Sequence, residues 1–182
     1  MIRLVFYTLF WFSQTAWCKD AALNVTHAEL LRENGQHRLN ADVEYRLTDT
    51  AHDALRNGVP LTFVLQLEIY PEPHAWWTLP IVNERRSFQV HYHSLAKLFQ
   101  WKQDSADSPR GYASLGALLE DMGAIRRLPV DQTRVLTVGQ RYQARLKFSL
   151  DIESLPLPLR PLAYLSPSWY LSSPWYSWPF VD

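Results

Sequence analysis

Cysteine is almost missing from this chain: Cys18 is the only one among 182 residues. One thiol builds neither a disulfide framework nor a multi-cysteine zinc site, so any fold must be held by packing. An excess of either charge is missing too. Eighteen Lys and Arg stand against 18 Asp and Glu, a formal net charge of +0. That removes the electrostatic footprint of a nucleic-acid binder, whose affinity comes mainly from basic side chains neutralising phosphates. No G-x-S-x-G, H-E-x-x-H, G-x-G-x-x-G or P-loop pattern occurs, so no cofactor is called for and no reaction is legible. No apolar run approaches the roughly 20 residues that a spanning helix needs. What is present is globular in composition, 47% hydrophobic and 20% charged, enough apolar material for a core.

The chain opens with Arg3, an apolar stretch from Leu4 to Phe12 interrupted only by Thr8, and then Ser13-Gln14-Thr15-Ala16-Trp17-Cys18. A short positive start, an apolar run and a small-residue exit are the parts of a secretory signal. Ala16 and Cys18 fit the −3 and −1 positions for cleavage before Lys19. Residues 1–18 are therefore expected to be a signal peptide and the mature protein to be exported, to the periplasm or the periplasmic face of the envelope. Two alternatives stay open: an uncleaved short anchor, and lipidation at Cys18, against which Trp17 counts because the preceding residue should be small.

Period-two alternation, the mark of strands with one buried face, recurs through residues 19–152. It runs over Leu39 to Leu47, Leu61 to Ile69, Phe88 to Tyr92 and, most clearly, Tyr142 to Ile152. The second face of the Leu61 strand, with Thr62, Val64, Gln66 and Glu68, is mixed, which predicts partial cover on both sides. Weaker strands are expected at Leu23–Arg32, Leu98–Lys102 and Arg134–Val138. Trp76-Trp77, between Pro73 and Pro80, reads as a loop or edge. Asp49–Asn57 and Ser114–Ala124 read as helices, the first capped by Asp49 or Thr50, the second by Ser114 with a Leu115, Leu118, Leu119, Met122 stripe. The expected architecture is mainly β: an antiparallel immunoglobulin-like β-sandwich with one main helix.

Residues 153–182 differ. They hold half of the 12 prolines and three of the eight tryptophans. Such a Pro/Trp-rich C-terminal tail is expected to run in extended, polyproline-like pieces with turns. Its aromatics should pull it onto the domain, because each ring buries about 150–250 Å². The alternatives are a partner-docking segment and contact with a membrane surface.

Candidate sites are few. Trp76, Trp77, Trp169, Trp175 and Trp178 are partner-binding anchors on composition. His91 and His93, at i and i+2 on one strand face, could share a Zn or Cu ion if a third ligand came from elsewhere; otherwise they are solvated strand histidines. Ser94-Leu95-Ala96-Lys97 matches S-x-x-K, but the partner motifs of that chemistry are missing, so it reads as a strand–turn–strand connection. Glu84-Arg85-Arg86 and Arg126-Arg127 read as solvated charges.

The strand Tyr45-Arg46-Leu47, the pieces Ala54-Leu55 to Gly58-Val59-Pro60-Leu61, Trp76-Trp77, Arg86-Ser87-Phe88-Gln89-Val90, Ser114-Leu115 to Leu118, and Leu155-Pro156-Leu157-Pro158-Leu159-Arg160-Pro161 with the closing tryptophans carry a resemblance. Together they resemble a proline-rich, signal-peptide-bearing proteobacterial family catalogued only as a domain of unknown function. The resemblance implies an exported envelope protein whose gene often lies beside a sensor kinase, and it supplies no catalytic residues. The expectation is a non-catalytic envelope interaction or sensing module, with an envelope protein, such as a membrane sensor protein, as partner and no nucleic acid. A periplasmic metal-binding protein using His91 and His93 and an envelope hydrolase without a recognisable motif are the alternatives.

Overall fold

A computed structural model describes residues 22–103 and 110–182. Residues 1–18, expected to be a signal peptide, and Cys18 with them lie outside the described residues. Among the described residues no helix is long and apolar enough to cross a membrane.

The fold is mainly β, with every paired strand antiparallel. The first sheet has three strands: β1 (Ala22–Glu33), β2 (Gln36–Arg46) and β7 (Ala124–Val130), in the order β1-β2-β7. Asn34 and Gly35, both at positive φ (51° and 77°), make the β1–β2 turn. An Asn-Gly pair is favoured there because such a turn matches the twist of the flanking strands. The second sheet has six strands: β3 (Leu61–Pro71), β4 (Val82–His93), β5 (Leu98–Gln103), β6 (Arg110–Tyr112), β8 (Arg141–Leu150) and β9 (Tyr176–Val181), in the order β6-β5-β4-β3-β8-β9. One cluster joins Leu23, Val25, Leu39 and Val43 of the first sheet to Phe63, Leu65, Phe88 and Phe148 of the second. The core therefore lies between the sheets, and full burial of each such side chain is worth about 1.5–3 kcal/mol. β3 is central and buried on both faces, including Thr62, Val64 and Glu68.

Helix α1 (Asp49–Arg56) is capped by Thr48, one residue before the first expected cap. Thr48 is extended (φ −67°, ψ 157°) and its hydroxyl accepts from the Ala51 amide at 3.1 Å. A capping residue must itself be non-helical, and Asp49 and Thr50 are already in the helix. Helix α2 (Leu115–Gly123) is capped by Ser114 as read from the sequence. It buries Leu118 and Met122 in the common core.

Three expectations need correction. Arg134–Val138 is not a strand: the chain turns through a 3₁₀ segment, Asp131–Val135. The strand lies earlier, at β7, where a register shift against β2 and a positive φ at Arg127 (53°) break the alternation. Secondly, Glu84 and Arg86 are not solvated. They lie on the inner side of β4, Glu84 buried, with Arg86 2.5 Å from Glu84 and 2.6 Å from Asp131. Glu84 also accepts from the Asp131 amide at 3.0 Å, tying β4 to the end of β7. Arg126 and Arg127 do remain exposed, paired with Asp42 and Glu33.

Residues 153–182, against expectation, are not polyproline-like. They form 3₁₀ turns at Ile152–Ser154, Leu157–Leu159 and Pro167–Trp169, a short helix α3 (Arg160–Leu165), and β9. Proline's fixed φ suits a first helical turn, where its missing N–H costs no bond, and Pro161 and Pro167 stand at such positions. Pro179 is carried by β9, an edge strand paired only to β8, the place in a sheet where proline is tolerated. Leu155, Ala163, Trp169 and Leu171 are buried in the main core. Ser173 Oγ accepts from the Phe148 amide at 2.9 Å.

Candidate functional site

The β3–β4 connection, residues 72–81, is a built loop. The Glu72 amide donates to the Arg141 carbonyl at 3.0 Å and the Ile81 amide to the Ile69 carbonyl at 2.8 Å. Between these ties, the Thr78 amide bonds the Ala75 carbonyl at 2.9 Å, and the Ala75 amide donates to Thr78 Oγ1 at 3.0 Å. Trp76 and Trp77 occupy the two central positions of that turn. Their rings meet edge to face at 5.2 Å, and they are 90% and 68% exposed. Leu79 and Ile81 are exposed beside them.

Beneath the loop, on the outer side of the large sheet, register brings Glu68 of β3 opposite Arg145 of β8. Glu68 is only 6% exposed. It accepts from Tyr70 OH at 2.7 Å, Gln66 Nε2 at 2.8 Å and Arg145 Nε at 2.6 Å. Burial, and then the bond to Glu68, push the Tyr70 hydroxyl's pKa up. The Arg145 guanidinium is sandwiched between the Tyr70 ring (4.8 Å) and the Trp175 ring (4.4 Å), with Lys147 on Trp175 at 5.7 Å. His74 stacks on Tyr70 at 5.0 Å. The result is a rack in which the stacked rings of His74 and Tyr70 continue into Arg145, Trp175 and Lys147, joining the outer side of the sheet to the loop. Each cation–π contact contributes roughly 0.5–1 kcal/mol at such partly exposed positions, and through His74 the rack reaches the loop that carries Trp76 and Trp77.

The five tryptophans singled out in the sequence are thus not one surface. Trp169 is 6% exposed and belongs to the core. Trp175 is half-buried in the rack. Trp178, also half-buried, packs from β9 against both core clusters, and its Nε1 is closed off without a partner. Only Trp76 and Trp77 stand free. Glu68, Tyr70 and Arg145 escaped the sequence reading because their pairing depends on strand register; the sole hint was the mixed second face of β3.

His91 and His93 do share the outer side of β4, with ring centroids 4.5 Å apart. Burial, and then the neighbouring His93, lower the pKa of His91. Among the described residues no group of three His, Cys, Asp or Glu is placed to hold a metal ion. Ser94 and Lys97 lie in the β4–β5 turn. A groove of about 640 Å³ between β2 and α2 is lined by Asp42, Tyr45, Leu119 and Glu120 among others, and among the described residues no Ser or His lines it.

Against known families, residues 20–179 match one family model, described as a domain of unknown function (DUF4390). No curated protein matches the chain, and no solved structure does.

Proposed function

The chain belongs to the DUF4390 family, and we propose that it is a non-catalytic, exported interaction module of the cell envelope that binds a protein partner through Trp76 and Trp77. One observation carries the reading: two adjacent tryptophans are held in the open by a hydrogen-bonded turn. Clustered exposed aromatics are uncommon on a monomer, and tryptophan is the residue most enriched among interface hot spots. Export rests on the Arg3, Leu4–Phe12 and Ala16–Cys18 pattern. A membrane sensor protein is the partner class in keeping with the family resemblance.

We read the scaffold as an immunoglobulin-like sandwich of variable type. The order β1-β2-β7 follows strands A-B-E, and β9-β8-β3-β4-β5 follows G-F-C-C′-C″. The departure is β6, which joins β5 instead of the smaller sheet.

The test places a photo-crosslinking amino acid at Trp76 and, as control, at Lys102 on β5. A discrete adduct in the envelope fraction from position 76 alone is expected, and Trp77→Ala should weaken it about tenfold or more. Equal adducts from both positions, or full-length protein in the cytosol with residues 1–18 retained, would refute the proposal. A second reading follows from the 4.5 Å approach of His91 and His93: weak Cu(II) or Zn(II) binding. Equilibrium dialysis decides it, since equal uptake by the wild type and the double alanine variant excludes that pair.

A further inference from the structure

We infer that the domain carries a second binding site, a pocket for a small organic anion: a carboxylate borne on a flat apolar body. The pocket, of about 410 Å³, lies where the end of β4, the start of β5, α1 and the first residues of α2 meet. That size is within the range of ordinary small-molecule sites. Its floor is apolar. Tyr92 and Phe99 are paired across β4 and β5, with ring centroids 4.6 Å apart, and Leu115 of α2 lines the pocket with them. Phe99 belongs to the main core, and Tyr92 and Leu115 pack against it. The walls are basic. His52 and Arg56 line the pocket from α1, four residues apart and therefore on one face of the helix, and Lys97 lines it from the β4–β5 turn.

Charge argues for an anion as the occupant. Among the described residues no Asp or Glu lines the pocket; Asp53, 3.8 Å from His52 Nδ1, has a side chain 76% exposed. Elsewhere Arg86, Arg126, Arg127 and Arg145 each meet a carboxylate, a partner that Arg56 and Lys97 lack among the described residues. Two cations facing one cavity repel each other, and a bound carboxylate relieves that repulsion through charge-assisted hydrogen bonds. The backbone of Lys97 argues the same way. Its φ is 53°, a left-handed conformation that costs free energy in any residue but glycine. Glycine would close the Ser94–Lys97 turn without that cost; what lysine adds is a cation on the pocket wall. The floor then selects among anions. A bare inorganic ion leaves the Tyr92 and Phe99 rings uncovered, so the anion that fits carries an apolar body over them. β4 starts beside the Trp76–Trp77 loop and ends at this pocket, so the site is separate from the tryptophan contact and stands whether or not that contact forms.

The test is equilibrium dialysis of the full chain against naphthoate, with naphthamide and acetate as probes that keep only the apolar body or only the charge. Naphthoate is expected to bind about tenfold or more tightly than either. Lys97→Gly and Arg56→Gln should each weaken it about tenfold or more, since each removes a charged hydrogen-bond partner. Lys102→Ala, on the outer side of β5, should leave it unchanged. Lys97→Gly also relieves the left-handed backbone, so its urea midpoint should equal or exceed that of the wild type, and its loss of binding is then not a loss of fold. Every variant retains residues 1–18, so uptake by that segment is common to all and cancels in the comparison. Equal binding of naphthoate and naphthamide would mark an apolar patch alone and overturn the inference. Equal binding of naphthoate and acetate would mark charge alone and overturn it too. So would a wild type that takes up no naphthoate, or uptake that Lys97→Gly and Arg56→Gln leave untouched.

Discussion

Tyr45 carries a hydroxyl that is closed off from solvent and has no hydrogen-bond partner among the described residues, while its ring packs edge-on to Phe63 at 5.5 Å and Phe148 at 6.0 Å. Burial drives that hydroxyl's pKa far upward. Tyr45→Phe keeps the ring contacts and removes the unpaired group, so it should stabilise the fold by about 1 kcal/mol, read as a higher urea midpoint. Asp121 is the opposite case. Its carboxylate accepts from Tyr112 OH at 2.6 Å and Trp101 Nε1 at 3.1 Å and lies 3.2 Å from Arg110. Partial burial works against its charge, but these neighbours outweigh it and hold its pKa below the usual carboxyl value. A folded-state pKa below the unfolded one gives stability that is complete above the ordinary carboxylate range and is lost as pH falls through the lowered value. Asp121→Asn should therefore lower the urea midpoint at pH about 7 and flatten its decline below pH about 4. That Tyr45 points inward is legible in the alternation of β2. Its lack of a partner, and the convergence of Trp101, Arg110 and Tyr112 on Asp121, are not legible, because they depend on what other segments bring opposite.

Helix α2 holds two glycines with different constraints. A methyl at Gly123 would collide with the Val43 backbone carbonyl, whereas nothing lies near one at Gly116. Backbone cannot swing aside as a side-chain tip can, so Gly123→Ala should cost about 2–3 kcal/mol. Gly116→Ala, in the first turn of α2 at ordinary φ and with open space around it, should gain a few tenths of a kcal/mol, roughly half the interior value or less. Opposite shifts in melting temperature would confirm that α2 lies directly on β2. The leucine spacing of α2 shows in the sequence because a helix stripe is a local pattern. The glycine contact does not show, since it records how close another element comes. The same distinction explains β8 and β7. Five alternating apolar positions, Tyr142 to Leu150, make β8 plain, whereas in β7 a bulge at Arg126–Arg127 and Pro129 hide a strand.

At the scale of the molecule, residues 153–182 complete both the core and the large sheet. The Leu150 amide bonds the Leu171 carbonyl at 2.8 Å, and β9 pairs with β8 from Tyr176 to Val181. Truncation after Ile152 strips Leu155, Ala163, Trp169 and Leu171 from the core, a loss of several kcal/mol against a total stability of about 5–15 kcal/mol. The truncated chain is expected to lose cooperative unfolding by circular dichroism and to be digested rapidly by protease. A stable truncated domain would show that the tail is dispensable. The mainly β character, the inward faces of β2, β3 and β8, and the two longer helices were determined by the sequence alone, because alternation and helical spacing are read within one segment. Only the tertiary structure decided that Trp169 turns inward while Trp76 and Trp77 stand in solvent, that Glu84 and Arg86 are drawn between the sheets, and that a proline-rich end becomes turns and an edge strand. Burial is a property of neighbours, and these neighbours come from parts of the chain too far apart for any local pattern to register.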